Sequence, residues 1–218
     1  MKKSGEAVNC EKPCHCCETH SDCKLIVLTG GPGAGKTAVL ESVRKELCEH
    51  IVIMPEAASI VFGGGFWRLE SMSAQMASQR AIFHIQREME NLVKGENKWG
   101  IGLCDRGSLD GLAYWKGSRD QFWNTFNTSL DAEYSRYKAV IHLRSPSIHQ
   151  GYNYQNPIRI ESAEEARSID ERIHEIWKKH PNYMTVDGQE SFIDKLALAY
   201  NKIRKYVPEC CGDHFNAT

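Results

Sequence analysis

The sequence lacks an excess of charge of either sign and lacks a long apolar run. Its 218 residues include 27 Lys and Arg against 28 Asp and Glu, for a formal net charge of −1 at pH 7. No basic excess indicates a nucleic-acid partner, and no polybasic block indicates an anionic membrane surface. The apolar run that begins at Leu25 is too short for a signal-peptide core or a membrane span. We therefore expect a cytoplasmic protein with no membrane span.

Internal repeats and linker-like segments are also missing from the central part of the chain. A hydrophobic content of 41% is enough for one sizeable core. We expect a Cys-rich tail over 1–24, a single domain over 25–207 and a short tail over 208–218. The sequence leaves the oligomeric state open.

The most informative segment is LIVLTGGPGAGKT at 25–37, which has the pattern G-x-x-x-x-G-K-T. Glycines let backbone N–H groups close around phosphate oxygens, and the N-terminus of the following helix adds positive potential. Lys36 reaches the β- and γ-phosphates and the Thr37 hydroxyl ligates Mg²⁺ in such loops. The alternative is a glycine-rich turn that binds nothing. We expect nucleoside triphosphate contacts from Gly30, Gly31, Pro32, Gly33, Ala34, Gly35, Lys36, Thr37 and Ala38.

Strand and helix patterns alternate along the chain, which predicts an α/β fold with a parallel sheet covered by helices. Each predicted strand is a short apolar run. The predicted strands are Leu25–Thr29, His50–Met54, Gly100–Cys104, Ala139–Leu143 and Tyr183–Val186. The predicted helices are Lys36–Cys48, Ser71–Lys94, Leu109–Trp115, Ala163–Lys179 and Glu190–Tyr206. Apolar stripes predict core packing by Ala166, Ile169, Ile173 and Trp177, and by Phe192, Leu196, Ala199 and Ile203.

Two acidic residues follow predicted strands, at the edge where open α/β sheets bind ligands. Asp105 has the position of a Walker B aspartate that holds Mg²⁺ together with Thr37, although an N-cap is the alternative. Glu56 is either a residue of the site or a surface carboxylate. The residue after Asp105 is Arg106 and not the glutamate that polarises water in motor ATPases, and no N-K-x-D guanine motif is present. This arrangement favours clamping of a phosphate or acceptor group by Arg106.

The segment Ser145–Ser162 is long for a loop and leads into a charged helix, which is typical of a lid. Such a lid supplies an arginine to the transferring phosphoryl group, and Arg159 and Arg167 are the candidates. The alternative is a solvated helix whose charges pair with one another. A second segment, Gly63–Arg68, contains three glycines followed by Phe66 and Trp67. It is either a flap that stacks on a base or a loop whose aromatic side chains return to the core, and we expect the second.

Cys14, Cys17, His20 and Cys23 recur at every third position near the N-terminus. Three thiolates and an imidazole suit tetrahedral Zn²⁺, but the spacing lacks the long loop between ligand pairs of ordinary zinc fingers. Reduced, solvated thiols are the favoured alternative.

Taken together, these residues resemble a P-loop nucleoside or nucleotide kinase-like protein, of the NadR/TRPL-translocation-defect type of AAA-like ATPase. The resemblance rests on LIVLTGGPGAGKT, on MPEAAS at 54–59 and on CDRGSLDGLAYW at 104–115, with a weaker match at HLRSP, 142–146. It implies a P-loop fold with about five parallel strands and a helical lid, and ATP or GTP with Mg²⁺. It also implies Glu56 near the phosphoryl acceptor, and Asp105 and Arg106 at the metal and phosphates.

Two functions fit these expectations. The first is transfer of a phosphoryl group from a Mg²⁺-bound triphosphate to a small nucleoside- or nucleotide-like acceptor, with Lys36, Glu56, Asp105, Arg106 and the lid arginines as the catalytic groups. The second is a nucleotide-dependent switch with slow hydrolysis and no small-molecule acceptor.

Overall fold

A computed structural model describes residues 22–46, 49–144, 163–187 and 191–208. The side chains of Glu46 and Ala163 are not among the described ones. The predicted lid segment 145–162, with Arg159, lies outside the described residues, as do Cys14, Cys17 and His20.

Five parallel strands form one sheet in the order β2-β3-β1-β4-β5. The strands are β1 (Lys24–Thr29), β2 (Ile51–Met54), β3 (Ile101–Asp105), β4 (Tyr137–Leu143) and β5 (Tyr183–Val186). The central strand β1 is buried along nearly its whole length because helices cover both faces. Since all strands run the same way, their carboxyl ends meet at one edge of the sheet.

The described part of the chain contains eight helices. They are α1 (Lys36–Glu46), α2 (Ala57–Gly63), α3 (Met72–Gly95), α4 (Asp110–Tyr114), α5 (Arg119–Phe126), α6 (Leu130–Tyr134), α7 (Ala163–Trp177) and α8 (Phe192–Arg204). Serine side chains cap several of them by accepting a backbone N–H of the first turn; these are Ser71, Ser118, Ser129 and Ser191.

The two faces of the sheet build two separate cores, because successive residues of a strand point to opposite sides. Leu25 and Val27 of β1 pack into a core that includes Trp177 of α7. Ile26 and Leu28 pack on the other face, against α1 and α8. The stripe of α7 is buried as predicted, with Trp177 inaccessible to solvent.

The predicted α/β fold with a five-stranded parallel sheet is confirmed. Three short helices, α2, α5 and α6, were not predicted, because elements of five to eight residues are too short to show a helical period. Two packing predictions were wrong. Phe192 is 54% exposed because it precedes the buried turns of α8, and Phe66 and Trp67 do not return to the core.

Candidate active site

The phosphate-binding loop joins the end of β1 to the start of α1. Gly30, Gly33 and Gly35 have φ angles of 143°, 80° and 94°, which side chains rarely adopt. A Cβ atom on Gly30 would lie 2.2 Å from the carbonyl oxygen of Leu143, so only glycine fits between the loop and the end of β4. The backbone therefore requires the glycines of the motif for steric reasons.

Lys36 is 9% exposed and extends across this loop. Its Nζ donates to the carbonyl oxygens of Gly30 at 2.9 Å and Gly31 at 3.2 Å. Burial, and next the charge of Arg106, lower the pKa of Lys36 to about 8, although the neighbouring carboxylates oppose this shift. A polyanion at the loop would favour the charged ammonium.

Asp105 is the last residue of β3 and pairs with Leu28 of β1, next to the loop. Its Oδ1 atom is buried and has no hydrogen-bond partner among the residues that the structure describes, and burial raises the pKa of the carboxyl group. Thr37 is exposed in the first turn of α1. A buried carboxylate oxygen without a donor and an accessible hydroxyl are the hard oxygen ligands that Mg²⁺ prefers, so this donor set fits the ion.

Arg106 follows with a φ of 76°, which is unusual for a residue other than glycine. In this conformation its Nε donates to Oε1 of Glu56 at 2.6 Å and its Nη1 donates to the carbonyl oxygen of Gly30 at 3.1 Å. Burial opposes the charge of Arg106, but Tyr114 and the nearby carboxylates raise its pKa well above the usual value. The guanidinium thus links the end of β2 to the phosphate-binding loop.

Glu56 follows β2 and is held from two sides. Arg106 donates to its Oε1, and the hydroxyl of Ser59 in α2 donates to its Oε2 at 2.7 Å. Burial acts to raise the pKa of Glu56, but Arg106, Lys36 and the hydrogen bonds outweigh it and lower that pKa to about 2. The interpretation of Glu56 as an isolated surface carboxylate does not fit this environment.

The structure adds one acidic residue to this group that the sequence analysis did not select. Asp110, 2% exposed at the start of α4, accepts the Thr29 hydroxyl at 2.5 Å and the Trp177 indole N–H at 2.7 Å. It also lies 3.4 Å from Nη1 of Arg106. Its position in the matched segment CDRGSLDGLAYW was the available signal, but its partners are remote in sequence.

Trp177 also contacts the turn that carries Arg106. A Cβ atom on Gly107 would lie 2.7 Å from the Trp177 ring, so glycine allows the indole to pack against this turn. In the same turn, the backbone N–H of Ser108 donates to the Tyr137 hydroxyl and the Ser108 hydroxyl donates to Glu133; both partners are buried. The Asp105–Ser108 turn is therefore fixed by contacts from several helices and strands.

Arg167 is the lid candidate that lies among the described residues, and within them it forms no hydrogen bond or ion pair with Lys36, Glu56, Asp105 or Arg106. Arg167 is exposed on α7 and lines a cavity of about 780 Å³ together with Leu112 of α4 and Arg119 of α5. The structure thus places Arg167 beside α4 and α5, and its role at the phosphates stays a prediction.

The segment that connects α2 to α3 leaves aromatic side chains at the surface. Trp67 is 77% exposed and Phe66 is 40% exposed, while the Arg68 guanidinium lies 4.4 Å from the centre of the Phe62 ring. We name residues 63–68 the flap. Glu56 precedes the short helix α2 and the flap follows it, so the seven residues of α2, about 10 Å of helix, connect the carboxylate to the exposed rings.

Cys23 is the described member of the predicted zinc site. It is buried in the core beside the sheet, and burial raises the pKa of its thiol to about 11. Since a zinc ligand is a thiolate, this environment works against metal binding by Cys23. The described residues give no support to the zinc prediction; Cys23 is a free, buried thiol.

Comparisons with known proteins agree with this geometry. A family model described as AAA domain matches residues 25–195. The solved structure of NadR protein in complex with NR aligns with a TM-score of 0.64 and 15% identity, over 84% of this chain and 51% of that one. Deoxyadenosine kinase from M. mycoides with bound dATP aligns with a TM-score of 0.54 and 15% identity, over 83% of this chain and 98% of that one. Thymidylate kinase from Candida albicans aligns with a TM-score of 0.56 and 14% identity, over 84% of this chain and 92% of that one.

The predicted resemblance to P-loop nucleoside and nucleotide kinases is thereby confirmed at the level of the fold. No curated protein sequence matches the chain significantly. Within the described ranges, none of the helices is both long and apolar enough to cross a membrane.

Proposed function

The chain belongs to the AAA domain family, and from this membership and the geometry of its site we propose that it is a P-loop phosphotransferase. It transfers a phosphoryl group from ATP or GTP to a small nucleoside- or nucleotide-like acceptor. The observation that carries the proposal is the contact of Arg106 with both Glu56 and the Gly30 carbonyl. An acceptor bound at Glu56 would thus lie beside the phosphates held by the loop.

The triphosphate is held by the loop and by Lys36. Backbone N–H groups at Gly33–Ala38, at the N-terminus of α1, point toward anions in such loops. Lys36 exchanges its contacts with the Gly30 and Gly31 carbonyls for phosphate oxygens, which favours its charged form. Positioning and electrostatics carry most of the rate enhancement of phosphoryl transfer, so the protein needs to supply little covalent chemistry.

Thr37 and Oδ1 of Asp105, which has no partner within the described ranges, would hold Mg²⁺. When bound, the ion would neutralise phosphate charge and orient the phosphates. Asp105 lies in the same charged group as Lys36, Glu56 and Arg106, each of which influences its protonation.

Glu56 orients the acceptor hydroxyl and accepts its proton. Its low pKa keeps it ionised at neutral pH, so positioning of the hydroxyl contributes more than strong basicity. Arg106, which stays charged, neutralises the charge that develops on the transferring group. Glu56 and Arg106 follow the neighbouring strands β2 and β3, so the acceptor hydroxyl and the transferring group would lie side by side.

The flap supplies an apolar surface for the acceptor. Phe66 and Trp67 expose ring faces that a nucleobase or a pyridine ring would cover on binding. Because α2 links the flap to Glu56, a base stacked there would keep its sugar near the carboxylate.

The test is release of nucleoside diphosphate from ATP or GTP with Mg²⁺, measured with and without a panel of acceptors. The panel contains nucleosides, including nicotinamide riboside, and nucleoside monophosphates. Stimulation by one acceptor, with appearance of its phosphorylated product, supports the proposal and identifies the substrate class. Tight triphosphate binding with a slow rate that no acceptor changes would contradict it and favour the nucleotide-dependent switch.

A further inference from the structure

A buried carboxylate of α7 contacts the phosphate-binding loop directly. Asp170 is 3% exposed, and its Oδ1 accepts the backbone N–H of Gly31 at 2.8 Å. Gly31 is the second residue of the loop and Asp170 is 139 residues further along the chain. The contact therefore joins two elements that the sequence does not bring together, and the sequence analysis assigned no role to Asp170.

Asp170 is held in place by two residues at the end of β4. The same Oδ1 lies 3.0 Å from Nε2 of His142, which is inaccessible to solvent, and Oδ2 lies 3.3 Å from Nε of Arg144. Burial acts to raise the pKa of Asp170, but the His142 hydrogen bond and charge, the Gly31 N–H and Arg144 lower it overall. The group is an ionised carboxylate that can only accept hydrogen bonds.

A hydrogen-bond chain behind the loop supports Asp170. Because Asp170 only accepts, Nε2 of His142 donates to it. Nδ1 of His142 lies 2.6 Å from the Tyr183 hydroxyl, which lies 2.8 Å from Nδ1 of His174. These contacts connect β4, β5 and α7 and hold Asp170 in one orientation.

We propose that Asp170 is a positioning residue that holds the phosphate-binding loop by accepting the Gly31 N–H. The position of α7 then determines the loop geometry that binds a triphosphate. The statement about triphosphate binding rests on the proposed function, whereas the hydrogen bond between Gly31 and Asp170 does not depend on it. Asp170 acts through Gly31 and its neighbours; Lys36, Thr37 and the remaining loop amides make the phosphate contacts.

The experiment compares Asp170→Ala, Asp170→Asn and Glu171→Gln with the unmodified protein. Glu171 is the matched control, because it follows Asp170 on α7 and pairs with Arg144 at 2.7 Å, yet it is exposed. The readouts are residue-specific amide hydrogen exchange at Gly31 without nucleotide, and the Kd for ATP and GTP by calorimetry. A hydrogen bond to a charged group is worth roughly tenfold or more in an equilibrium. We therefore expect Asp170→Ala to accelerate Gly31 exchange and to weaken triphosphate binding by about tenfold or more.

The conservative variant separates positioning from general packing. Asp170→Asn keeps an oxygen that can accept the Gly31 N–H, so part of the Gly31 protection and part of the affinity should return. Glu171→Gln should match the unmodified protein in both readouts. Unchanged Gly31 exchange in folded Asp170→Ala would overturn the inference, and so would faster exchange spread equally over β4, β5 and α7.

The two proposals fail in different ways. An unmodified protein that binds neither triphosphate would overturn the proposed function, whereas Gly31 exchange would still decide whether Asp170 holds the loop. Triphosphate binding that is equally tight in the unmodified protein and in Asp170→Ala would overturn the positioning role and leave the phosphotransferase proposal standing.

Discussion

Glu56 and Arg106 form an ion pair with a distance of 2.6 Å between Oε1 and Nε. The two residues follow neighbouring parallel strands, and the guanidinium also donates to the Gly30 carbonyl of the phosphate-binding loop. Both side chains are mostly shielded from water, with exposed fractions of 26% for Glu56 and 14% for Arg106. The pair thus connects the proposed acceptor position with the proposed triphosphate position.

Replacing Glu56 by glutamine should slow phosphoryl transfer and leave triphosphate binding nearly intact. The substitution preserves the size of the side chain but removes the negative charge that orients the acceptor hydroxyl and accepts its proton. Loss of such a group typically costs about 10²- to 10⁴-fold in rate. Acceptor-dependent kcat and the Kd for ATP measure the two effects, with the exposed Glu41→Gln of α1 as control. Equal kcat in Glu56→Gln and the unmodified protein would remove Glu56 from the mechanism.

The same ion pair predicts a specific acid sensitivity. The pKa of Glu56 is lowered from 4.5 to about 2, so its ionised form stabilises the folded state fully above pH 4.5. This contribution disappears as the pH falls from 4.5 through about 2. We expect the difference in free energy of unfolding between the unmodified protein and Glu56→Gln to be larger at about pH 6 than at about pH 3. Urea denaturation at both values measures it; a difference that does not change with pH would contradict the assignment.

The fold could be predicted where the apolar pattern was long enough or continuous enough to be specific. The run Leu25–Thr29 predicted β1, and the stripe from Ala166 to Trp177 predicted the buried face of α7. Helix α6 has only five residues, and its packing against neighbouring elements, not its own period, makes it helical. Phe192 was misplaced because a periodic stripe does not say how far the buried face extends toward a helix end.

The candidate site could be predicted in the same partial way. The rule that strand ends converge selected Glu56 and Asp105, and the structure brings both beside Lys36. Asp170 could not be selected as a residue of the site, because its partner Gly31 is 139 residues away. The same holds for Trp177, whose partner Asp110 is 67 residues away. No local sequence pattern indicates such contacts. Sequence reasoning selected the residues that we propose to contact ligands and missed the buried residues that bond to them.

Removing the amine of Lys36 should weaken triphosphate binding. Lys36 is buried across the phosphate-binding loop, and each hydrogen bond to a charged phosphate is worth about 1.5–3 kcal/mol, or roughly 10- to 100-fold in Kd. Calorimetric titration of Lys36→Ala with ATP and with GTP measures the loss. Lys45→Ala, an exposed basic residue in the last turn of the same helix, is the control and should bind like the unmodified protein. Unchanged affinity of Lys36→Ala for both triphosphates would show that residues 30–38 do not form the nucleotide site.

Replacing Trp177 by phenylalanine should destabilise the protein, because it removes a buried hydrogen bond as well as the part of the indole that packs against the Gly107 turn. The substitution keeps an aromatic ring but removes the N–H that Asp110 accepts at 2.7 Å, and it leaves a buried carboxylate oxygen with one partner fewer. An unsatisfied buried polar group of this kind costs about 1–3 kcal/mol. Thermal and urea unfolding measure the change, and Trp67→Phe at the exposed flap should leave stability unaltered. Equal stability of Trp177→Phe and the unmodified protein would mean that the Asp110 contact contributes nothing net.

The flap should affect the acceptor and not the triphosphate. Trp67 is 77% exposed and is linked through α2 to Glu56, so its ring is free to stack on an incoming base. Stacking of a base on an aromatic side chain is worth about 1–3 kcal/mol, and Trp67→Ala should therefore raise the KM for the acceptor by roughly 5- to 100-fold. Leu92→Ala, at an apolar residue of α3 that is 61% exposed, is the control. Steady-state kinetics with acceptor and ATP varied separately provides the test. The proposed acceptor position is at Glu56, and the proposed triphosphate position is at the phosphate-binding loop, on the other side of Arg106. An increase in the KM for ATP, with the KM for the acceptor unchanged, would therefore contradict the proposal that the flap binds the acceptor.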